Sequence, residues 1–339
     1  MRFGLIGYGL WGRHHAASIA AAPGATLAAI ACASETTASA AARDFPDVPI
    51  DVGYEALLAR PDIDAVAVVV PNHLHADVGV AALEAGKDVL MEKPMATTLE
   101  GCDRLLAAAR ASGRVLTIGH QLRLSAQYGR VKALIDAGEI GVPVHVGFTL
   151  FRFPFRPGAQ GWRYDPARVG SWILEESVHF FDFVMWYFDG VGAPRSLLAF
   201  GDTKPRGAGQ SDNLTAVLRF PGEAHAVITQ TLAAFEYHQN LHIVGTEGAI
   251  RSWWSGALDR TLHPAFELRL ERRGKGGVET VPVDRSGEMV ELDAQTRAVI
   301  TAFAARRALV SGEEARKSVA MCLAAEQSLR ENREIALRF

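Results

Sequence analysis

Residues Gly7 to Gly12 read GYGLWG, three glycines spaced as G-x-G-x-x-G after a β-type run and at the head of a helical stretch. Gly7 permits a tight turn, Gly9 lets backbone approach a pyrophosphate, and Gly12 allows close helix packing, while free N–H groups and the helix dipole attract the anion. The residue that meets the adenosine ribose belongs at the end of the second strand, about 20 residues on. Cys32-Ala33-Ser34 stands there, with Glu35 the first carboxylate and no arginine before Arg43. The usual ground for strict NAD preference is missing, and Ser34, Thr36 and Thr37 offer hydroxyls to a ribose phosphate. NAD and NADP both stay open, the absent repelling charge tilting slightly to NADP.

Lys93 follows the strand-like run Asp88 to Met91, at the strand end where ligands bind in open α/β sheets. Its ammonium could hold a hydroxyl and lower the cost of removing its proton. In SWILEESVHFFDFVMWYF, Glu175 and His179 are four apart and would share one helix face, with Asp182 one turn further on. An imidazole, unperturbed near pKa ~6.5, suits proton transfer around neutral pH, and a neighbouring carboxylate can orient it. A held hydroxyl, a proton acceptor and a nicotinamide are what hydride transfer needs. His14, His15, His73 and His120 fall near the same cleft, but their spacing matches no metal motif. A hydrogen-bonding role is expected of them, and no metal is required.

The elements that must position these groups change character along the chain. Over the first 120 residues, strand-like runs at Arg2 to Ile6, Thr26 to Cys32, Ala65 to Val70, Asp88 to Met91 and Val115 to Ile118 alternate with helical, Ala-rich stretches. That rhythm means β-α-β units and a parallel sheet, and AVAVVV suggests a strand covered on both faces. After Gly141 longer alternating runs take over: VPVHVGFTLFRF, NLTAVLRF, HAVITQTLAAF, NLHIVGTEGAI and FELRLERR. They predict a mainly antiparallel sheet with one face buried. Helical stretches over 292–310 and 313–332 close the chain. The expected fold class is α/β: a Rossmann domain over 1–120, then an α+β domain over 121–339 built on a large, open sheet.

Bulk properties narrow the partners. The chain has 339 residues, 49% of them hydrophobic, enough for two cores. With 35 Lys plus Arg against 38 Asp plus Glu, the net charge of -3 offers nothing to phosphate backbones or anionic lipid, so neither nucleic acid nor membrane is an expected partner. No apolar run approaches the roughly 20 residues needed to cross a bilayer. The glycine-interrupted start does not read as a signal peptide, and three cysteines without short spacing suggest reduced thiols in a cytoplasmic protein.

GYGLWG, VPNHLH at Val70 to His75 and MEKP at Met91 to Pro94 together resemble the glucose-fructose oxidoreductase and inositol dehydrogenase (Gfo/Idh/MocA) family. Glu92-Lys93-Pro94 is the most diagnostic match, and Trp162-Arg163, HFFD at His179 to Asp182 and IVGTEGAI at Ile243 to Ile250 extend the resemblance over essentially the whole chain. It implies a dinucleotide held by Gly7, Gly9, Leu10, Trp11, Gly12, Ala33, Ser34, Asn72, His75, Glu92 and Lys93. Lys93 and His179 would share the proton chemistry, with Glu175 orienting the imidazole. Where the family pattern has Asp four residues before the His, this chain has the longer Glu175. Lys93, Arg123, Trp162, Arg163 and His179 would line a sugar or polyol pocket. The expected activity is NAD(P)-dependent oxidation of a secondary alcohol in a homodimer or homotetramer formed through the C-terminal sheet. The alternatives are a glycosidase using transient oxidation by bound NAD, and a non-catalytic NAD(P)-sensing regulator.

Overall fold

Short apolar runs separated by Ala-rich helices build a six-stranded, all-parallel sheet from β1 (Arg2–Ile6), β2 (Thr26–Cys32), β3 (Ile50–Val52), β4 (Ala65–Val68), β5 (Asp88–Glu92) and β6 (Leu116–Gly119). Its order, β3-β2-β1-β4-β5-β6, reverses direction beside β1, the topological switch point of a doubly wound sheet. Every residue of β4 is buried, as a central parallel strand requires. β3 escaped the sequence reading because it is a three-residue edge strand with a polar centre, Asp51. The computed structural model describes residues 1–202, 210–261, 263–274 and 276–339. Among them no helix is long and apolar enough to cross a membrane.

The chain divides into two units. The first unit takes residues 1–120, 157–170 and 292–319. The reason is packing: Val299 and Phe303 of helix Glu288–Ala304 enter the core formed by Phe3, Leu5, Ile19, Ile30 and Leu90, with the Phe3 and Phe303 rings stacked at 6.3 Å. Thr117 Oγ donates to the Val310 carbonyl (3.1 Å), and Arg306 holds Asp88 at the start of β5 (2.6 Å). Sequence periodicity cannot say which core an apolar helix face joins.

The second unit is a nine-stranded sheet: β7 (Pro143–Phe151), β8 (Ser196–Gly201), β9 (Asn213–Arg219), β10 (His225–Thr231), β11 (Tyr237–Gly245), β12 (Gly248–Gly256), β13 (Ala265–Arg272), β14 (Val278–Thr280) and β15 (Ile335–Ala336), in the order β14-β13-β12-β11-β7-β10-β9-β8-β15. The β7–β10 pairing is parallel and the remaining pairings are antiparallel. Period-two alternation buries Val146, Phe148 and Leu150 of β7 with Leu214, Ala216 and Leu218 of β9. Helix Val178–Tyr187 lies on this face, Phe180 stacked on Phe148 at 4.2 Å.

Candidate active site

The first half of the site is assembled within the first unit. Gly7 has φ +102, and a Cβ there would strike the Val69 carbonyl oxygen; one at Gly12 would strike the carbonyl of Gly7. Both positions thus require glycine, for backbone conformation and close approach. Gly9 differs: among the described residues a Cβ there would meet nothing within 4 Å, and no side chain caps helix Leu10–Ala21, which begins beside it. That open, uncapped helix start is a cradle that fits a pyrophosphate.

β5 delivers Glu92 and Lys93 to the same region. Glu92 is buried; its Oε1 accepts from Trp11 Nε1 (3.0 Å) and lies 2.7 Å from His15 Nε2, while Oε2 accepts from the Lys93 backbone N–H (3.2 Å). Burial pushes the Glu92 carboxyl up, but His15, Lys93 and Trp11 outweigh it and hold it below the usual range. His75 bridges two loops, Nδ1 at the Pro94 carbonyl (2.6 Å) and Nε2 at the Val70 carbonyl (2.9 Å). Asn72 Nδ2 donates to the Val169 carbonyl (3.0 Å). Glu92, His75 and Asn72, expected at the cofactor, therefore have protein groups at these atoms, and they fix the loops around Lys93. Ala33 and Ser34 are exposed just beyond β2.

Trp162 and Arg163 also lie in the first unit, not in the segment where the sequence reading put them. Trp162 is buried, and the Arg163 guanidinium sits 4.5 Å from its ring centre, so one indole face expected to pack on a sugar is taken by a neighbour.

In the second unit, Glu175 and His179 are both buried. Glu175 lies in a wide π turn formed by Ile173–Ser177, and His179 follows in helix Val178–Tyr187. Arg123, expected in the substrate pocket, grips Asp182 through a buried, two-pronged pair, Nε to Oδ2 at 2.8 Å and Nη2 to Oδ1 at 2.7 Å, and its guanidinium lies 5.3 Å from the Trp186 ring centre. The sequence reading missed Glu176, which accepts from Arg152 Nη1 (2.7 Å) and Tyr237 Oη (3.0 Å). Burial opposes the Arg152 charge, yet Glu176, Tyr237 and Asp259 push its pKa above the usual range. No sequence signal pairs residues 152, 176 and 237; only the fold brings them together. Lys93 falls in the first unit, Glu175 and His179 in the second.

Residues 1–120 match the model of the oxidoreductase family with an NAD-binding Rossmann fold, and residues 128–251 match the GFO/IDH/MocA C-terminal domain. The chain belongs to the GFO/IDH/MocA oxidoreductase family. The 1,5-anhydro-D-fructose reductase of Ensifer adhaerens is 32% identical to this family member over 258 residues, 74% of each chain. Inositol 2-dehydrogenase of Acidothermus cellulolyticus is 30% identical over 253 residues, 74% of this chain and 72% of its own. Among solved structures, a putative myo-inositol dehydrogenase from Sinorhizobium meliloti matches with a TM-score of 0.81 at 25% identity over 100% of both chains. Levoglucosan dehydrogenase in complex with NADH and L-sorbose shares the fold, with a TM-score of 0.85 at 22% identity over 100% of this chain and 99% of that one. As a GFO/IDH/MocA member the chain is an oxidoreductase with an NAD-binding Rossmann fold.

Proposed function

We propose that this oxidoreductase reversibly oxidises a secondary alcohol of a monosaccharide, sugar derivative or polyol with NAD or NADP. One observation carries the reading: the open glycine turn at a helix start is tied through Glu92 to Lys93 at a parallel strand end. A dinucleotide bound there would supply the hydride acceptor. Lys93 would hold the reacting hydroxyl and stabilise the charge that develops as its proton leaves. His179 would take that proton, and Glu175 would orient its imidazole. Trp162 and Arg163 would contribute to sugar binding. Leu10 and Trp11 begin the helix beside the turn and, with Ala33 and Ser34, would border the dinucleotide. The names of the relatives, a reductase of an anhydro sugar and dehydrogenases of inositol, support a ring-shaped, hydroxyl-rich substrate. We also assign the face of the nine-stranded sheet opposite helix Val178–Tyr187 to a homodimer or homotetramer interface.

The test is a panel of sugars, sugar acids and inositols with both cofactors, read at the absorbance of the reduced nicotinamide. Net cofactor reduction is expected; substrate cleavage without it would make the enzyme a glycosidase, and neither would leave a dinucleotide-binding regulator. With the substrate found, Lys93→Met and His179→Ala should each lower kcat/KM by on the order of 100-fold to 10,000-fold, and Glu175→Gln by less. Near-normal turnover by His179→Ala would remove the histidine from the mechanism.

A further inference from the structure

His15 is fully buried on helix Leu10–Ala21, four residues after Trp11, so the two side chains share a helix face and converge on a single oxygen, Glu92 Oε1. The indole N–H can only donate. His15 Nε2, 2.7 Å from a carboxylate oxygen, also donates. Its Nδ1 is buried and has no hydrogen-bond partner among the described residues. His15, Lys93 and Trp11 hold the Glu92 carboxyl below the usual range against its burial, and its second oxygen holds the Lys93 backbone. A glutamine could accept from the same N–H groups without the cost of burying a charge, so the charge itself calls for a role.

Resting on the dinucleotide reading above, we propose that the buried His15–Glu92 pair is a positioning device that couples the pyrophosphate-binding turn to Lys93. The helix that starts at the cradle carries both donors. Glu92 converts the position of that helix into the position of the Lys93 backbone, and its charge acts on the ammonium of the same residue. His75 anchors the far side of the loop at the Pro94 carbonyl, so Lys93 is held from both directions.

NADH and NADPH titrations of the whole protein, followed by emission of the reduced nicotinamide, separate the two ends of this coupling. Affinity reports the cradle, and the emission of bound cofactor reports the nicotinamide environment beside Lys93. His15→Ala should weaken affinity about 10-fold, the effect of one lost buried hydrogen bond, and His15→Gln, whose Nε2–H can reach the same oxygen, should restore most of it. Glu92→Gln should keep affinity within about 3-fold but shift the bound emission as Lys93→Met does, because it keeps the acceptor and loses the charge. If His15→Ala does not fold, Trp11→Phe, which removes the other donor at a half-buried position, replaces it, with an expected loss of about 3-fold. Unchanged affinity in the folded donor variant, or a Glu92→Gln emission identical to that of wild type, would overturn the proposal. Failure of the wild-type protein to bind either dinucleotide would instead remove the functional reading beneath it.

Discussion

Position 33, which we propose lies beside the adenosine ribose, carries a methyl group and no carboxylate. Its neighbour Ser34 caps helix Glu35–Asp44 by accepting from the Thr37 backbone N–H (3.3 Å), and Thr37 Oγ returns a hydrogen bond to the Ser34 carbonyl (2.9 Å). The two hydroxyls are thus engaged in a capping box, while Ala33, which we propose borders the ribose, is exposed. Ala33→Asp should shift the ratio of NADP to NAD affinity towards NAD by about 10-fold or more, since the new carboxylate accepts from the ribose diol and repels the 2′-phosphate. Titration of the variant with both reduced cofactors checks this; an unchanged ratio would mean that the ribose lies elsewhere.

Helix Glu288–Ala304 shows how an element start can carry a titrating group. Glu291, one turn in, is buried, accepting from the Gly287 backbone N–H (3.3 Å) and Ser286 Oγ (3.4 Å). Burial pushes its pKa up from 4.5 to about 7, against the pull of hydrogen bonds from Ser125, Gly287 and Ser286. Because the folded value is the higher one, the folded state binds the proton more tightly, and the associated stability is fully present below about pH 4.5 and lost as pH rises through about 7. At pH 8 the loss is at most about 3 kcal/mol. Glu291→Gln should therefore raise Tm relative to wild type at pH 8, with the gain vanishing near pH 4.5. Thermal scans across that range provide the check, and a pH-independent difference would show that Glu291 is ionised throughout. The same scale explains Arg123 and Asp182, whose buried pair ties residues Gln121–Leu124 to helix Val178–Tyr187. Removing either partner would strand a buried charge, which makes this pair structural before it is anything else.

On the scale of the whole molecule, the nine-stranded sheet presents two unlike faces. Helix Val178–Tyr187 covers the one bearing Phe148, while the other carries half-buried Thr215, Val217, Val227 and Thr229 and the exposed Phe151 and Phe200. Exposed aromatic and half-buried β-branched side chains on an extended sheet suit an isologous contact with a second copy. Light scattering at micromolar concentration should give at least twice the 36.5 kDa chain mass, and Phe200→Glu should reduce it. A stable wild-type monomer would exclude this interface.

The sequence alone determined the glycine turn and the strands with a clear apolar period. Three glycines at fixed spacing specify a turn in which Gly7 and Gly12 tolerate no Cβ, and alternating or continuous apolar runs located β1, β2, β7 and β9 because burial on one face or two imposes its own period. Lys93 at a strand end and the buried Glu175 and His179 could be named from residue type and spacing. Only tertiary structure decided what depends on contacts between distant residues. Val299 and Phe303 join the first core, Arg123 is committed to Asp182, Arg152 to Glu176, and His15 to Glu92. Each of these pairings spans 24 residues or more, and partner choice between distant charged or apolar groups is set by three-dimensional packing, which leaves no period in the chain.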